Sequence, residues 1–217
     1  MRYKKPIIEV NNLFKKYDDK IIFKDINFKV INGEIFSIVG PSGKGKSTLA
    51  KILLGLEKQD NGEVLFKGVK VSEWLKHNKK AFRKKIQIVL QNSSSSFNPK
   101  YNVDFIMKEP FTIHKVQYKK DRVIDALKAV QLTEDFLNRY PYEMSGGQRQ
   151  RIAIARALLL MPELIVMDEV LRGLDVILQA QIIELILKLK KSYDFTLIFI
   201  SHNMNIIKFL SDNIYYL

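Results

Sequence analysis

The chain of 217 residues is 47% hydrophobic and 27% charged, which fits one folded domain, with or without an inserted subdomain, and argues against disorder. It has no cysteine, which excludes disulfides and thiolate metal sites, and its three histidines (His77, His114, His202) are too few and too scattered for a metal cluster. The net charge of +13 raises nucleic acid or anionic lipid as partners, but the basic residues are spread along the chain and no nucleic-acid-binding module is present, so no specific nucleic acid is expected.

Ile7–Val10 reads as a strand. Partial alternation over Ile21–Val30 predicts antiparallel strands, with a turn at Asn32-Gly33. Glu34–Val39 is a short apolar strand that runs into a glycine-rich loop and then a helical pattern over Lys46–Leu56. Glu63–Phe66 follows as a strand between turns at Asn61-Gly62 and Lys67-Gly68, and Ile86–Leu90 as a compact β-branched strand. The serine-rich stretch Asn92–Pro99 reads as a loop.

Val103–Leu160 is mostly helical, with breaks expected at Pro110, Pro141 and Gly146-Gly147. Strands return at Leu164–Met167 and Thr196–Ile200, separated by an amphipathic helix over Val176–Lys191. A helix over Met204–Leu210 and a strand over Ile214–Leu217 finish the chain. Strands alternating with helices predict an α/β fold with a parallel sheet, in which the central helical block is an insertion. No apolar run is long enough to span a bilayer, and no signal-peptide pattern follows the basic N-terminus. A soluble, cytoplasmic protein docked on a membrane protein is the expectation.

Gly40-Pro41-Ser42-Gly43-Lys44-Gly45-Lys46-Ser47-Thr48 matches G-x-x-x-x-G-K-[ST] at every fixed position, between a strand and a helix. Glycines let backbone N–H groups close on phosphate oxygens, and the following helix offers its positive end. Lys46 is placed to reach the β- and γ-phosphates of a nucleoside triphosphate and Ser47 to hold Mg²⁺. A polyphosphate ligand also accounts for part of the basic excess. Leu164-Ile165-Val166-Met167-Asp168-Glu169 ends an apolar strand in two carboxylates, Asp168 suited to the Mg²⁺ shell and Glu169 to a general base acting on water. His202 follows the Thr196–Ile200 strand, whose tip should point at the γ-phosphate region.

Met144-Ser145-Gly146-Gly147-Gln148 closely resembles the signature motif of ABC ATPases, with Met144 where leucine is usual. The resemblance covers essentially the whole chain. It implies a P-loop NTPase fold with a mixed sheet, an N-terminal antiparallel β region and an inserted helical subdomain: a single nucleotide-binding domain with a core of residues 1–100 and 156–217 and a subdomain of about 101–155. It also implies that Tyr17 stacks on adenine, that Gln91 touches Mg²⁺ or water, that Asp175 ends the D-loop and that His202 is the switch histidine. Two such cassettes, identical or paralogous, pair head to tail, so that Ser145, Gly146, Gly147 and Gln148 of one grip the ATP on the phosphate loop of the other. The implied partners are integral-membrane permease subunits and a solute-binding protein, at the cytoplasmic face of the cell membrane.

Ser96-Phe97-Asn98-Pro99 and Arg139-Tyr140-Pro141-Tyr142-Glu143 resemble segments of the peptide/nickel importer group, implying ATP-driven import of oligopeptides or nickel chelates. A non-transport ABC ATPase acting on nucleic acid or ribosomes is the alternative. It is disfavoured by the lack of room for a coiled-coil insertion and by the single cassette. A plain P-loop kinase or GTPase would leave the signature, Gln91 and His202 as coincidences. Departures from the family pattern are Val170 in place of proline, Arg172-Gly173 in the D-loop and the extra cation of Lys44. The chain ends at Leu217, where family members continue, which reads as a truncated chain or a short subunit.

Overall fold

The computed structural model describes residues 5–90 and 97–217. Two long strands open the fold: β1 (Pro6–Tyr17) and β2 (Lys20–Ile31) form an antiparallel hairpin, with β4 (Asn61–Phe66) and the two-residue β5 (Val69–Lys70) extending it in the order β2-β1-β4-β5. Register shifts after Pro6, Val10, Leu13 and Lys15 carry β1 through twelve residues, so the strand runs past the expected Ile7–Val10.

The second sheet is parallel. Its strands are β3 (Ile35–Val39), β6 (Ile86–Leu90), β7 (Leu164–Asp168), β8 (Thr196–Ser201) and β9 (Asn213–Tyr216), in the order β6-β7-β8-β3-β9. Successive residues of β7 point to opposite faces, and each face has its own core. Leu164 and Val166 pack with Phe36, Ile38, Ile198 and Ile200 against the antiparallel sheet and the helix α1 (Lys46–Leu53). Ile165 and Met167 pack with Leu197 and Phe199 against the helices α4 (Val103–His114), α5 (Lys120–Ala129), α6 (Gly146–Leu158) and α7 (Val176–Ser192). The helix α8 (Met204–Leu210) precedes β9.

Further features, beside the length of β1, depart from the pattern read in the sequence. Helix α1 stops at Leu53, three residues short of Leu56. Residues 71–85 form α2 (Val71–His77) and α3 (Lys79–Lys85), two short helices where no element was expected; only Val71 and Phe82 of them are fully buried. Finally, α4 runs through Pro110 instead of breaking there, and ends at Lys115 in a left-handed conformation. Proline cannot donate to the carbonyl four residues back. That carbonyl, on Ile106, accepts from Nε of Arg156 on α6 at 3.3 Å, and Arg156 also pairs with Glu109. A side chain from a neighbouring helix thus supplies the missing donor. Helix α6 spans thirteen residues, Gly146–Leu158. Among the described residues, no helix is long and apolar enough to cross a membrane.

Candidate functional site

Parallel strands β3, β7 and β8 end at one edge of their sheet, with Val39 paired to Ser201 and Asp168 to Ile200. Such an edge collects the loops that follow each strand, and here those loops carry the charged residues singled out in the sequence.

The loop after β3 enters α1 through Gly45, whose backbone is left-handed (φ 89°). A Cβ there would sit 2.4 Å from Cγ2 of Ile22, so β2 excludes any side chain. Pro41, Ser42, Gly43 and Lys44 are exposed, whereas Lys46 is buried. Its ammonium donates to the carbonyls of Gly40 (2.8 Å) and Pro41 (2.9 Å) and lies 3.8 Å from Oε1 of Glu169. A buried cation needs such partners, and these hold it against the rim of its own loop.

Asp168 closes β7 and is buried. Burial raises its pKa above the ordinary carboxylate value; the charge of Glu169 adds to the rise, while a hydrogen bond from the Ser47 hydroxyl and the cation of Lys46 oppose it. Oδ1 of Asp168 is buried with no hydrogen-bond partner among the described residues. An orphaned carboxylate oxygen beside a serine hydroxyl is a donor set suited to a hard divalent cation completed by waters and phosphate oxygens. No group of three or more His, Cys, Asp or Glu capable of holding a metal exists among the described residues.

Glu169 has a left-handed backbone (φ 51°), uncommon for a side-chain-bearing residue, and its N–H donates to Ile200 at the end of β8 (3.0 Å). The turn aims its carboxylate at His202, whose Nδ1 is 2.8 Å from Oε2 and 3.1 Å from Oε1. His202 itself is largely open to solvent. Lys46, Ser47, Asp168, Glu169 and His202, drawn from three separate loops, therefore form one cluster. Tyr17, at the tip of the β1–β2 hairpin, reaches the same helix from another side: its hydroxyl is 3.5 Å from Oγ1 of Thr48. It also donates to Glu57, a residue that sequence reasoning passed over because nothing in its local pattern marks it.

The remaining expected site residues among those described lie at two other helix starts. Ser145 caps α6: its hydroxyl accepts from the Gln148 amide (3.3 Å), and the Gln148 side chain accepts from the Ser145 amide (2.9 Å). This capping box is complete within four residues and leaves the amides of Gly146 and Gly147 at the open helix end. A Cβ on Gly146 would meet nothing within 4 Å; one on Gly147 would lie 3.3 Å from Leu178. Asp175 caps α7, accepting from the Leu178 amide at 2.9 Å. The two motifs thus adjoin each other through Leu178. Gln91 lies outside the described residues, as do Asn92–Ser96 of the predicted loop.

Residues 23–172 match the family model described as "ABC transporter". The chain is 39% identical over 228 residues to the oligopeptide transport ATP-binding protein OppF of Haemophilus influenzae, covering 97% of this chain and 69% of that protein. It is 41% identical over 204 residues to the oligopeptide transport ATP-binding protein AppF of Bacillus subtilis, covering 92% of this chain and 62% of the relative. Its fold is similar to cbiO1 of Clostridium perfringens, part of the ABC transporter complex cbiONQ (TM-score 0.85, 28% identity, 97% of this chain and 84% of that one). It is also similar to the ATP-binding cassette MJ0796, solved as a dimer bound to ADP and Pi (TM-score 0.80, 29% identity, 97% and 94%).

Proposed function

This chain belongs to the ABC transporter family, and we propose that it is the ATP-binding, ATP-hydrolysing subunit of an importer of oligopeptides. The observation that carries the reading is the pairing of Glu169 with His202 beside the Lys46 ammonium. It sets a carboxylate, an imidazole and a phosphate-binding cation around one point. The peptide cargo rests on the names of the relatives, which specify oligopeptides and not nickel.

In this reading Tyr17 offers its ring to adenine. The Gly40–Thr48 loop wraps the phosphates, and Lys46 exchanges its loop carbonyls for β- and γ-phosphate oxygens. Ser47 and Asp168 hold Mg²⁺, with Gln91 contributing from the segment after β6. The ion supplies charge neutralisation to the phosphate oxygens. Glu169 accepts a proton from the attacking water, and His202 holds that carboxylate in place while facing the γ-phosphate. Ser145, Gly146, Gly147 and Gln148 act on the nucleotide of a second cassette, itself a copy or a paralogue, in a head-to-tail dimer to which Asp175 contributes at the seam. ATP favours the closed dimer and hydrolysis releases it, a two-state switch. The helical subdomain of about residues 101–155 is the part that moves relative to the core, with α6 continuing from it to Leu158. The complex holds the chain at the cytoplasmic face of the membrane through permease subunits, with a solute-binding protein delivering cargo.

Glu169→Gln is the test. ATP turnover should fall about 100-fold or more, the range lost with a general base. Nucleotide binding should persist, and light scattering should detect an ATP-dependent dimer. Turnover at the wild-type rate would end the assignment of Glu169. The transport half is tested by affinity purification from native membranes: multi-spanning subunits should be retained, and ribosomal or DNA-bound proteins in their place would overturn it.

A further inference from the structure

Tyr17 sits at a hairpin tip, 44% exposed, where a tyrosine ring would ordinarily sample several rotamers. Here it is braced. Its hydroxyl donates to the Glu57 carboxylate. Lys15, only 8% exposed, lies 3.3 Å from the same carboxylate and 3.6 Å from that of Asp60. Its ammonium donates to the Lys58 carbonyl at 2.9 Å and stands 5.0 Å from the centroid of the Tyr17 ring. A buried ammonium demands opposite charge and acceptors, and these are supplied by one short segment, 57–60.

The backbone explains why these groups meet. Lys15 precedes Tyr17 by two residues on β1 and pairs with Phe23, whereas Tyr17 pairs with Lys20. Register shifts on either side of Lys15 re-aim that end of β1. The Lys16 amide donates to Oδ2 of Asp60 (2.7 Å), and the Asp60 amide to the Phe14 carbonyl (3.0 Å). Thr48 lies in the first turn of α1, and Glu57, four residues past its last residue, donates its amide to the Lys51 carbonyl in its last turn (3.3 Å). The hairpin tip is therefore tied to the same element that holds the phosphate loop.

We propose that Lys15 and Glu57 are positioning residues for nucleotide recognition: they hold the Tyr17 ring as a preformed platform at a set distance from the phosphate loop, so that the purine of ATP docks without first ordering the ring. This rests on the reading of Tyr17 as the adenine contact. Preorganisation raises affinity by removing the entropy lost on binding. The effect belongs to the base end of the nucleotide and is invisible to a ligand without a base.

The experiment measures dissociation constants of ATP and of inorganic triphosphate for the purified chain carrying Glu57→Ala, Glu57→Gln, Tyr17→Phe or Tyr17→Ala. ATP affinity should fall about fivefold in Glu57→Ala and in Tyr17→Phe, the scale of one hydrogen bond. The double variant should be no weaker than either single one, since both cut the same link. Glu57→Gln, which keeps an acceptor for the hydroxyl but loses the charge that faces Lys15, should recover part of the loss. Triphosphate affinity should hold or tighten as the carboxylate is removed. Tyr17→Ala should show the largest loss for ATP, from base stacking. Equal weakening of ATP and triphosphate in Glu57→Ala would overturn the proposal, because it would mark general damage to α1. Loss of ATP affinity in Tyr17→Ala with none in Glu57→Ala would overturn the bracing while leaving the adenine reading intact. Unchanged ATP affinity in Tyr17→Ala would overturn both.

Discussion

Two helices of this chain start on glycine-bearing turns, and their first residues are in opposite chemical states. At α1 the ammonium of Lys46 is buried on the Gly40 and Pro41 carbonyls and faces Glu169, while Ser47 bonds Asp168. Its glycine, Gly45, is required from within, by Ile22 and a left-handed backbone. At α6 the polar groups of Ser145 and Gln148 satisfy each other. Its first glycine, Gly146, has open space where a side chain would go. The same residue type thus answers two needs. In α1 glycine lets the chain fold back on itself; in α6 it leaves room that nothing in the described chain fills. The first helix start belongs to a cluster of this chain's own charges, and the second is where the proposed dimer would bring another molecule's nucleotide.

The largest effect that can break this contrast is at Lys46. Lys46→Ala should lower ATP turnover by about 1,000-fold, on the scale of losing a preorganised charge at a transferring phosphate. Nucleotide affinity, measured by calorimetry, should fall with it, because the residue acts within its own chain. Ser145→Arg should behave differently. It fills the open end of α6 and should lower turnover about 100-fold while leaving the affinity of the monomer for ATP within about twofold of wild type. A parallel collapse of monomer affinity in Ser145→Arg would mean that α6 serves its own chain's site.

Gly45→Ala and Gly146→Ala sharpen the contrast at the level of stability. The first should cost about 2–4 kcal/mol in chemical denaturation, from a left-handed backbone and a close contact with Ile22. The second should be neutral or stabilising by up to about 1 kcal/mol, since alanine outranks glycine in helices. If Gly146→Ala proves as damaging to folding as Gly45→Ala, Gly146 has a structural duty that its surroundings do not reveal.

Both helix starts were legible in the sequence, because each is a local motif whose glycines, lysine or serine stand at set spacings. The charged strand ends were legible for a related reason: the apolar run of β7 stops at Asp168, and a parallel strand packed on both faces changes from apolar to polar side chains only at its ends. What escaped reading depends on partners distant in sequence. Pro110 stays inside α4 because Arg156, 46 residues further along, supplies a donor to Ile106. The helices over 71–85 are too short to leave a periodic trace; their packing rests on Val71 and Phe82, with Trp74 and Leu75 partly buried against the same core. The brace on Tyr17 joins Lys15 to Glu57 across a whole strand pair and α1, and neither residue stands out locally. The near approach of Gly147 to Leu178 is likewise a tertiary fact.

The smallest effect concerns the charge that the first site holds at a cost. Asp168 has a raised pKa because burial and Glu169 disfavour its ionised form more than Ser47 and Lys46 favour it. A carboxyl that binds its proton more tightly when folded stabilises the fold at low pH. That contribution is complete below the unfolded value and is lost as pH rises through the folded one. Without nucleotide or divalent cation, Asp168→Asn should therefore melt higher than the wild type at pH 7, by about 2 °C. The gap should narrow as pH is lowered toward the ordinary aspartate range. Adding ATP with Mg²⁺ should reverse the order, because the orphaned Oδ1 then gains a cation that asparagine holds poorly. Thermal melts across pH 4–8, with and without the ligand pair, read both arms. A wild type that melts above Asp168→Asn at pH 7 without ligand would show that the ionised carboxylate is already well compensated by Ser47 and Lys46, and that the resting charge at this strand end carries no strain for a cation to relieve.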